Sequence, residues 1–71
     1  MILEMLENGR QGVVVRVDGG IGMRDRLLEL GIVPGVPVRM IQRAGHGPVL
    51  VEVLGTRLML GHGMAERVVV S

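Results

Sequence analysis

The sequence contains no phenylalanine, tyrosine or tryptophan, although hydrophobic residues make up 48% of its 71 residues. Proteins that read single-stranded nucleic acid hold bases on aromatic rings, so this absence argues against that class. Cysteine is also absent, which excludes disulfide scaffolds, thiol catalysis and thiolate metal sites. The core must therefore be built from aliphatic and methionine side chains, namely 13 Val, 9 Leu, 6 Met and 4 Ile.

Lysine is missing as well, and the eight arginines nearly balance seven acidic residues to give a formal net charge of +1. The arginines are interspersed with acids, so no basic patch favours nucleic-acid binding. Apolar runs are far shorter than the ~20 residues of a membrane span, which predicts no direct membrane insertion. The first ten residues lack the basic region and cleavage site of a signal peptide, so we predict a cytoplasmic protein.

The sequence offers little to support catalysis. Without Cys or Lys, the hydroxyl candidates for a nucleophile are Thr56, in a predicted turn, and the final residue Ser71. Asp25 and Glu29 are four residues apart on the predicted solvent side of a helix, where no pocket is implied. The run from Gly19 to Gly22 fits neither of the glycine-rich phosphate-binding motifs. We therefore predict that the protein is not an enzyme.

Twelve glycines and three prolines divide the chain into short segments that are rich in Val, which favours small β elements. The segment from Gln11 to Asp18 is typical of a strand. A helix is predicted from Met23 to Leu30, because Met23, Leu27 and Leu30 recur at spacings that place them on one face. Gly31 and Pro34 supply the signals that end this helix.

The middle of the chain predicts a three-stranded meander with strands near residues 36–43, 49–54 and 57–60. A loop from Ala44 to Gly47 would place Arg39 opposite Glu52 and build a consistent apolar inner face. A two-residue turn at Gly55 and Thr56 would place Val53 beside Leu58 and Val51 beside Leu60. The predicted inner face consists of Val38, Met40, Val51, Val53, Leu58 and Leu60.

A short helical turn and a last strand from Arg67 to Val70 complete the predicted elements. About five short strands with one inserted short α-helix predict a mainly β fold, a small barrel that occupies residues 1–71 as a single domain.

The outer face of the meander is predicted to carry more apolar residues than a solvated surface needs, namely Ile41, Leu50, Leu54 and Met59. We expect the Leu28 edge of the helix, or the N-terminal residues Leu3, Met5 and Leu6, to cover most of this surface. The alternative is that a partner or a second subunit covers it. Arg24, at the rim of the apolar side of the helix, is either a snorkelling side chain or a partner contact.

His46 and His62 each lie between two glycines, on predicted loops, and are the leading candidates for a metal site. Zinc and iron sites usually need three or four ligands. The other candidates in the chain, such as Glu52, Glu66 and Asp18, have no diagnostic spacing. We therefore predict no metal cofactor, with Fe(II) or Zn(II) bound at the two histidines as the alternative.

The run MRDRLLELGIVPGVPV from Met23 to Val38, together with GPVLVEVLGTRLMLGHGMAERVVV from Gly47 to Val70, closely resembles the FeoA family of ferrous iron transport proteins. The resemblance covers essentially the whole chain. It implies an SH3-like barrel and a non-enzymatic accessory or regulatory role beside FeoB, the membrane iron transporter with a cytosolic GTP-binding domain. A related domain at the C-terminus of DtxR-type repressors implies the alternative, a transition-metal-binding or metal-sensing domain.

Two functional hypotheses follow from the residues and the resemblance. The first is a module that binds the cytosolic part of a FeoB-type transporter, with the contacts Arg24, Ile41, Leu50, Leu54 and Met59. The second is a metal-sensing or metal-delivery domain that uses His46 and His62. A homo-oligomer is compatible with either hypothesis.

Overall fold

Five strands and two short α-helices make up the computed structural model, which describes residues 1–71. The elements in chain order are a 3₁₀ turn (Leu3–Met5), β1 (Gln11–Val17), α1 (Ile21–Glu29), β2 (Pro37–Arg43), β3 (Val49–Val53), β4 (Thr56–Leu60), α2 (His62–Ala65) and β5 (Val68–Val70). All strands are antiparallel and lie in the order β4-β3-β2-β1-β5. The predicted mainly β fold with one inserted helix is therefore confirmed.

One core cluster draws residues from every strand, from both helices or their flanks, and from the N-terminal segment, so the sheet curves around it. No buried residue is polar or charged. The fully or almost fully buried side chains are Leu3, Leu6, Val14, Leu27, Ile32, Val38, Met40, Val49, Val51, Val53, Leu60, Ala65, Val68 and Val70. None of the helices has the length and apolar character needed to cross a membrane.

Helix α1 begins at Ile21, two residues before the predicted start, and its last turn ends as the sequence indicates. Gly31 has φ +86°, and its N–H donates to the carbonyl of Leu28 at 2.9 Å. The N–H of Ile32 donates to the carbonyl of Leu27, also at 2.9 Å, which completes a Schellman motif. Leu27 and Ile32 are both buried, so this ending fixes the helix against the core.

The β2–β3 hairpin has the predicted pairs for most of its length, with Arg39 opposite Glu52 and Met40 opposite Val51. After Met40 the register shifts by one residue, because a bulge places Gln42 opposite Leu50. The loop is therefore five residues long, from 44 to 48, rather than the predicted four.

The predicted turn between β3 and β4 is wrong by one position. Val53 pairs with Thr56, so the two central turn residues are Leu54 and Gly55, with φ values of +51° and +81°. Positive φ at both positions is the type I′ geometry that suits a tight hairpin, and leucine is rarely found there. Val51 consequently pairs with Leu58 rather than Leu60.

The error in this turn shifts the register by two residues, which leaves every side chain on its predicted face. Val38, Met40, Val51, Val53 and Leu60 are buried as expected, and Leu58 is half-buried.

The expected cover of the outer face is absent. Leu3 and Leu6 lie in the core itself, and Met5 is exposed. Leu28 is also exposed and lines a groove beside α1. The N-terminal segment instead runs along β5, where Ile2 pairs with Val69, so its apolar residues close one end of the core.

Candidate functional site

Four of the predicted partner contacts lie at or near the outer face of the meander, and we call them the outer patch: Ile41, Leu50, Leu54 and Met59. Leu50 of β3 is directly opposite Met59 of β4, and Ile41 lies in the bulge of the neighbouring strand β2. Ile41 and Leu50 are half-buried, whereas Met59 is 65% exposed and Leu54 is 74% exposed. The structure therefore brings three of these side chains together and leaves Met59 open to solvent.

Leu54 belongs to the same hairpin but occupies its turn. Its Cδ1 atom lies 3.7 Å from the point where a Cβ on Gly31 would stand, so the turn is next to the C-terminal end of α1. Arg39, Glu52 and Arg57 form one cross-strand row between the turn and the Leu50–Met59 pair. The outer patch therefore consists of two apolar parts with a charged row between them.

Arg24 does not lie on this sheet face. It lines the groove beside α1, which has a volume of about 310 Å³ and also involves Arg16, Asp25 and the exposed side chains of Ile21 and Leu28. Arg16 is paired with Asp18 at 3.0 Å, whereas Arg24 makes no ion pair. Ile21 precedes the predicted start of the helix and was not among the predicted contact residues.

A second group of chemically active side chains comes from the two ends of the sequence. Glu4 on the 3₁₀ turn, His62 at the start of α2 and Glu66 just after α2 form what we call the carboxylate–histidine cluster. Nδ1 of His62 lies 2.8 Å from Oε2 of Glu4, and Nε2 lies 3.6 Å from Oε2 of Glu66. One ligand atom from each residue lies within 4.8 Å of the others, so the three could hold a metal ion.

His46, on the loop between β2 and β3, lies next to His62 of this cluster. Its ring centroid is 6.2 Å from that of His62, and the two rings are nearly perpendicular. The two predicted histidines are therefore neighbours, whereas Glu4 was missed. The four-residue spacing between His62 and Glu66 is a local signal, but nothing in the sequence links Glu4 to them.

The family model of the FeoA domain matches residues 1–71 of this chain. The chain belongs to the FeoA family. The "Putative Fe(2+) transport protein A" of Methanocaldococcus jannaschii is 31% identical over 69 residues, which cover 97% of this chain and 83% of that protein. The resemblance noted in the sequence is thus confirmed.

Solved structures of FeoA proteins have the same fold. A crystal structure of an iron uptake regulatory protein, FeoA, has a TM-score of 0.94 at 33% identity and covers 99% of this chain and 93% of its own. FeoA of Stenotrophomonas maltophilia, described as an SH3 domain protein and complexed with zinc, has a TM-score of 0.87 at 37% identity, with 100% and 89% coverage. The predicted SH3-like fold is therefore confirmed.

A manganese-dependent transcriptional repressor also contains this fold, with a TM-score of 0.89 at 24% identity. This chain covers only 41% of the repressor, and the likeness shows the fold alone. It is consistent with the metal-sensing hypothesis, but it does not favour that hypothesis over an accessory role in transport.

Proposed function

We propose that this chain is a non-enzymatic accessory module of ferrous iron transport that acts in the cytoplasm by binding the cytosolic GTP-binding part of a FeoB-type transporter. Membership of the FeoA family and the similarity to an Fe(2+) transport protein support a role in ferrous iron transport. The transporter is the partner that the family resemblance implies.

The main structural support for a protein-binding role is that the outer patch is exposed. The core already contains 14 buried residues, yet Leu54 and Met59 remain exposed beside the half-buried Leu50 and Ile41. Protein interfaces combine apolar contacts, often with methionine, and a polar rim that supplies hydrogen bonds. The charged row of Arg39, Glu52 and Arg57 provides such polar groups beside the patch.

Methionine and leucine side chains of this kind suit a partner surface for different reasons. Met59 is flexible and polarisable, so it adapts to an irregular apolar surface at little cost. Leu54 is presented by a two-residue turn between two paired strands, so the hairpin sets the position of its backbone before binding. A fixed contact loses less entropy on association than a mobile one.

The interaction can be mapped by titrating ¹⁵N-labelled protein with the soluble GTP-binding part of the transporter. We expect the largest amide shifts at Ile41, Leu50, Leu54 and Met59, with smaller shifts around Arg24. Arg24→Gln should weaken binding by about threefold, because it removes an unpaired charge in the groove beside α1 that attracts the partner during encounter. Shifts confined to the 3₁₀ turn and α2 would contradict the assignment of the outer patch.

A matched pair of methionine variants tests the same surface by affinity. Met59 and Met5 have similar exposure, 65% and 58%, but Met5 lies on the 3₁₀ turn rather than in the outer patch. Met59→Glu should weaken binding at least about tenfold, since a charge would be desolvated in an apolar contact. Met5→Glu should leave the affinity unchanged, and equal losses in both variants would count against the patch.

A further inference from the structure

Glu4 has a buried carboxylate oxygen, Oε2, that accepts no hydrogen bond. The nearest cationic or imidazole nitrogen is Nδ1 of His62, 2.8 Å away, and this contact lacks the geometry of a hydrogen bond. A buried carboxylate oxygen whose nearest donor nitrogen is poorly aligned is unfavourable, because its lost hydration is only partly replaced. A cation that both atoms contact would remove this cost.

A second carboxylate lies on the other side of the same imidazole ring. Oε2 of Glu66 is 3.6 Å from Nε2 of His62. Bonds of about 2.0–2.2 Å to a zinc-sized ion place ligand atoms roughly 3–4 Å apart. One ligand atom from each of the three residues already lies within 4.8 Å of the others, so small side-chain rotations bring them into this range. A metal takes one nitrogen of the ring, and the side chains of His62 and Glu66 are 43% and 41% exposed, so both are free to turn toward a common ion.

From this arrangement we propose that Glu4, His62 and Glu66 bind one divalent transition-metal ion, with His46 as the fourth ligand. Imidazole combined with carboxylate suits ions such as Zn(II) and Fe(II) better than Mg(II) or Ca(II), which prefer oxygen ligands. His46 is the neighbouring imidazole, with its ring centroid 6.2 Å from that of His62. This site goes beyond the proposed transporter binding and does not depend on it.

The backbone around the cluster is held in place by the fold. The carbonyl of Glu4 accepts a hydrogen bond from Nη1 of Arg43 at 2.8 Å, which ties the 3₁₀ turn to β2. Leu3, before Glu4, and Ala65, before Glu66, are both completely buried. The two carboxylates therefore extend from fixed positions, and a bound ion would join the N-terminal segment to α2.

Isothermal titration of the intact protein with zinc chloride tests the site directly. We expect one ion per chain, and Glu4→Gln, Glu66→Gln or His62→Gln should each weaken binding at least about tenfold by removing one ligand. Glu52→Gln is the matched control, because Glu52 lies in β3 outside the cluster, and it should bind zinc as the parent protein does. Co(II) should give the visible absorption of a nitrogen- and oxygen-bound site in the parent and not in His62→Gln.

Three outcomes would overturn the proposal or part of it. No saturable binding up to about 100 µM zinc would mean that His62 and its carboxylates form ion pairs only. Equal affinity in all variants would mean adventitious surface binding. Unchanged affinity in His46→Gln would remove His46 from the ligand set. Transporter binding, measured with the same variants, should be unchanged, so failure of the metal site is distinguishable from failure of the proposed function.

Discussion

Leu54 combines two unfavourable properties in one residue. Its backbone lies in the left-handed region with φ +51°, and its apolar side chain is 74% exposed. The left-handed conformation costs a residue with a Cβ roughly 1–2 kcal/mol, and Asn or Asp tolerates it better. A leucine at this position therefore weakens the turn, which fits a side chain retained for contact with a partner.

Replacing Leu54 with Asn separates these two effects. Asn followed by Gly55 is the favoured pair for a type I′ turn, so Leu54→Asn should stabilise the protein by about 0.5–1 kcal/mol. For a domain of this size, the midpoint of thermal unfolding should shift upward by roughly 2–8 °C. The same variant should bind the transporter fragment more weakly. A lower unfolding temperature would show that the contact of Leu54 beside Gly31 outweighs the backbone cost.

At the scale of an element, the ending of α1 depends on one backbone position. A Cβ on Gly31 would be 3.7 Å from Leu54 and 3.8 Å from Val53, which is ordinary contact. The space therefore admits a methyl group, and the restriction comes from φ +86° alone. Gly22, in the first turn of the same helix, has helical backbone, and no atom lies within 4 Å of the point where its Cβ would stand.

Alanine at these two glycines should have opposite effects on stability. Gly31→Ala should destabilise the protein by about 1–2 kcal/mol, because the left-handed conformation is strained with a Cβ. Gly22→Ala should stabilise it by about 0.5 kcal/mol through reduced freedom of the unfolded chain. Urea unfolding of both variants measures the difference. Destabilisation by both would indicate crowding around α1 that the backbone geometry does not show.

The helix ending and the first hairpin could be predicted because their signals are local. Gly31 and Pro34 mark the end of α1, and the opposed Arg39 and Glu52 fix the register of β2 and β3. The turn at Leu54 could not be predicted in this way. Turn preferences favour glycine over leucine at the first of the two central positions, so the sequence pointed to Gly55 as that residue. Its register error was harmless to the core because a shift of two residues preserves the side-chain faces.

At the scale of the whole molecule, the candidate metal site depends on packing between the two ends of the chain. Leu3 in the N-terminal segment and Ala65 of α2 join the same core, and this brings Glu4 to His62. The histidines could be proposed from their flanking glycines, but no local pattern in the sequence distinguishes Glu4 from the other acidic residues. The apolar side chains near it were instead expected to cover the outer face.

A cavity-forming substitution at Leu3 tests whether this N-terminal segment is part of the core. Leu3 is completely buried, and the segment is held to β5 by hydrogen bonds from the Val70 N–H to Met1 and from the Met1 amino group to the Val70 carbonyl. Leu3→Ala should cost about 2–4 kcal/mol, since it removes buried methyl groups and leaves a cavity. A domain of this length has a total stability of about 4–10 kcal/mol, so the loss should be large in urea unfolding.

Met5→Ala is the control for this change, because Met5 lies in the same 3₁₀ turn but is 58% exposed. It should alter the free energy of unfolding by less than about 0.5 kcal/mol, as exposed substitutions usually do. Similar effects from the two variants would show that the segment detaches from the core in solution. Glu4 would then leave the carboxylate–histidine cluster, so zinc affinity should fall in Leu3→Ala and remain unchanged in Met5→Ala.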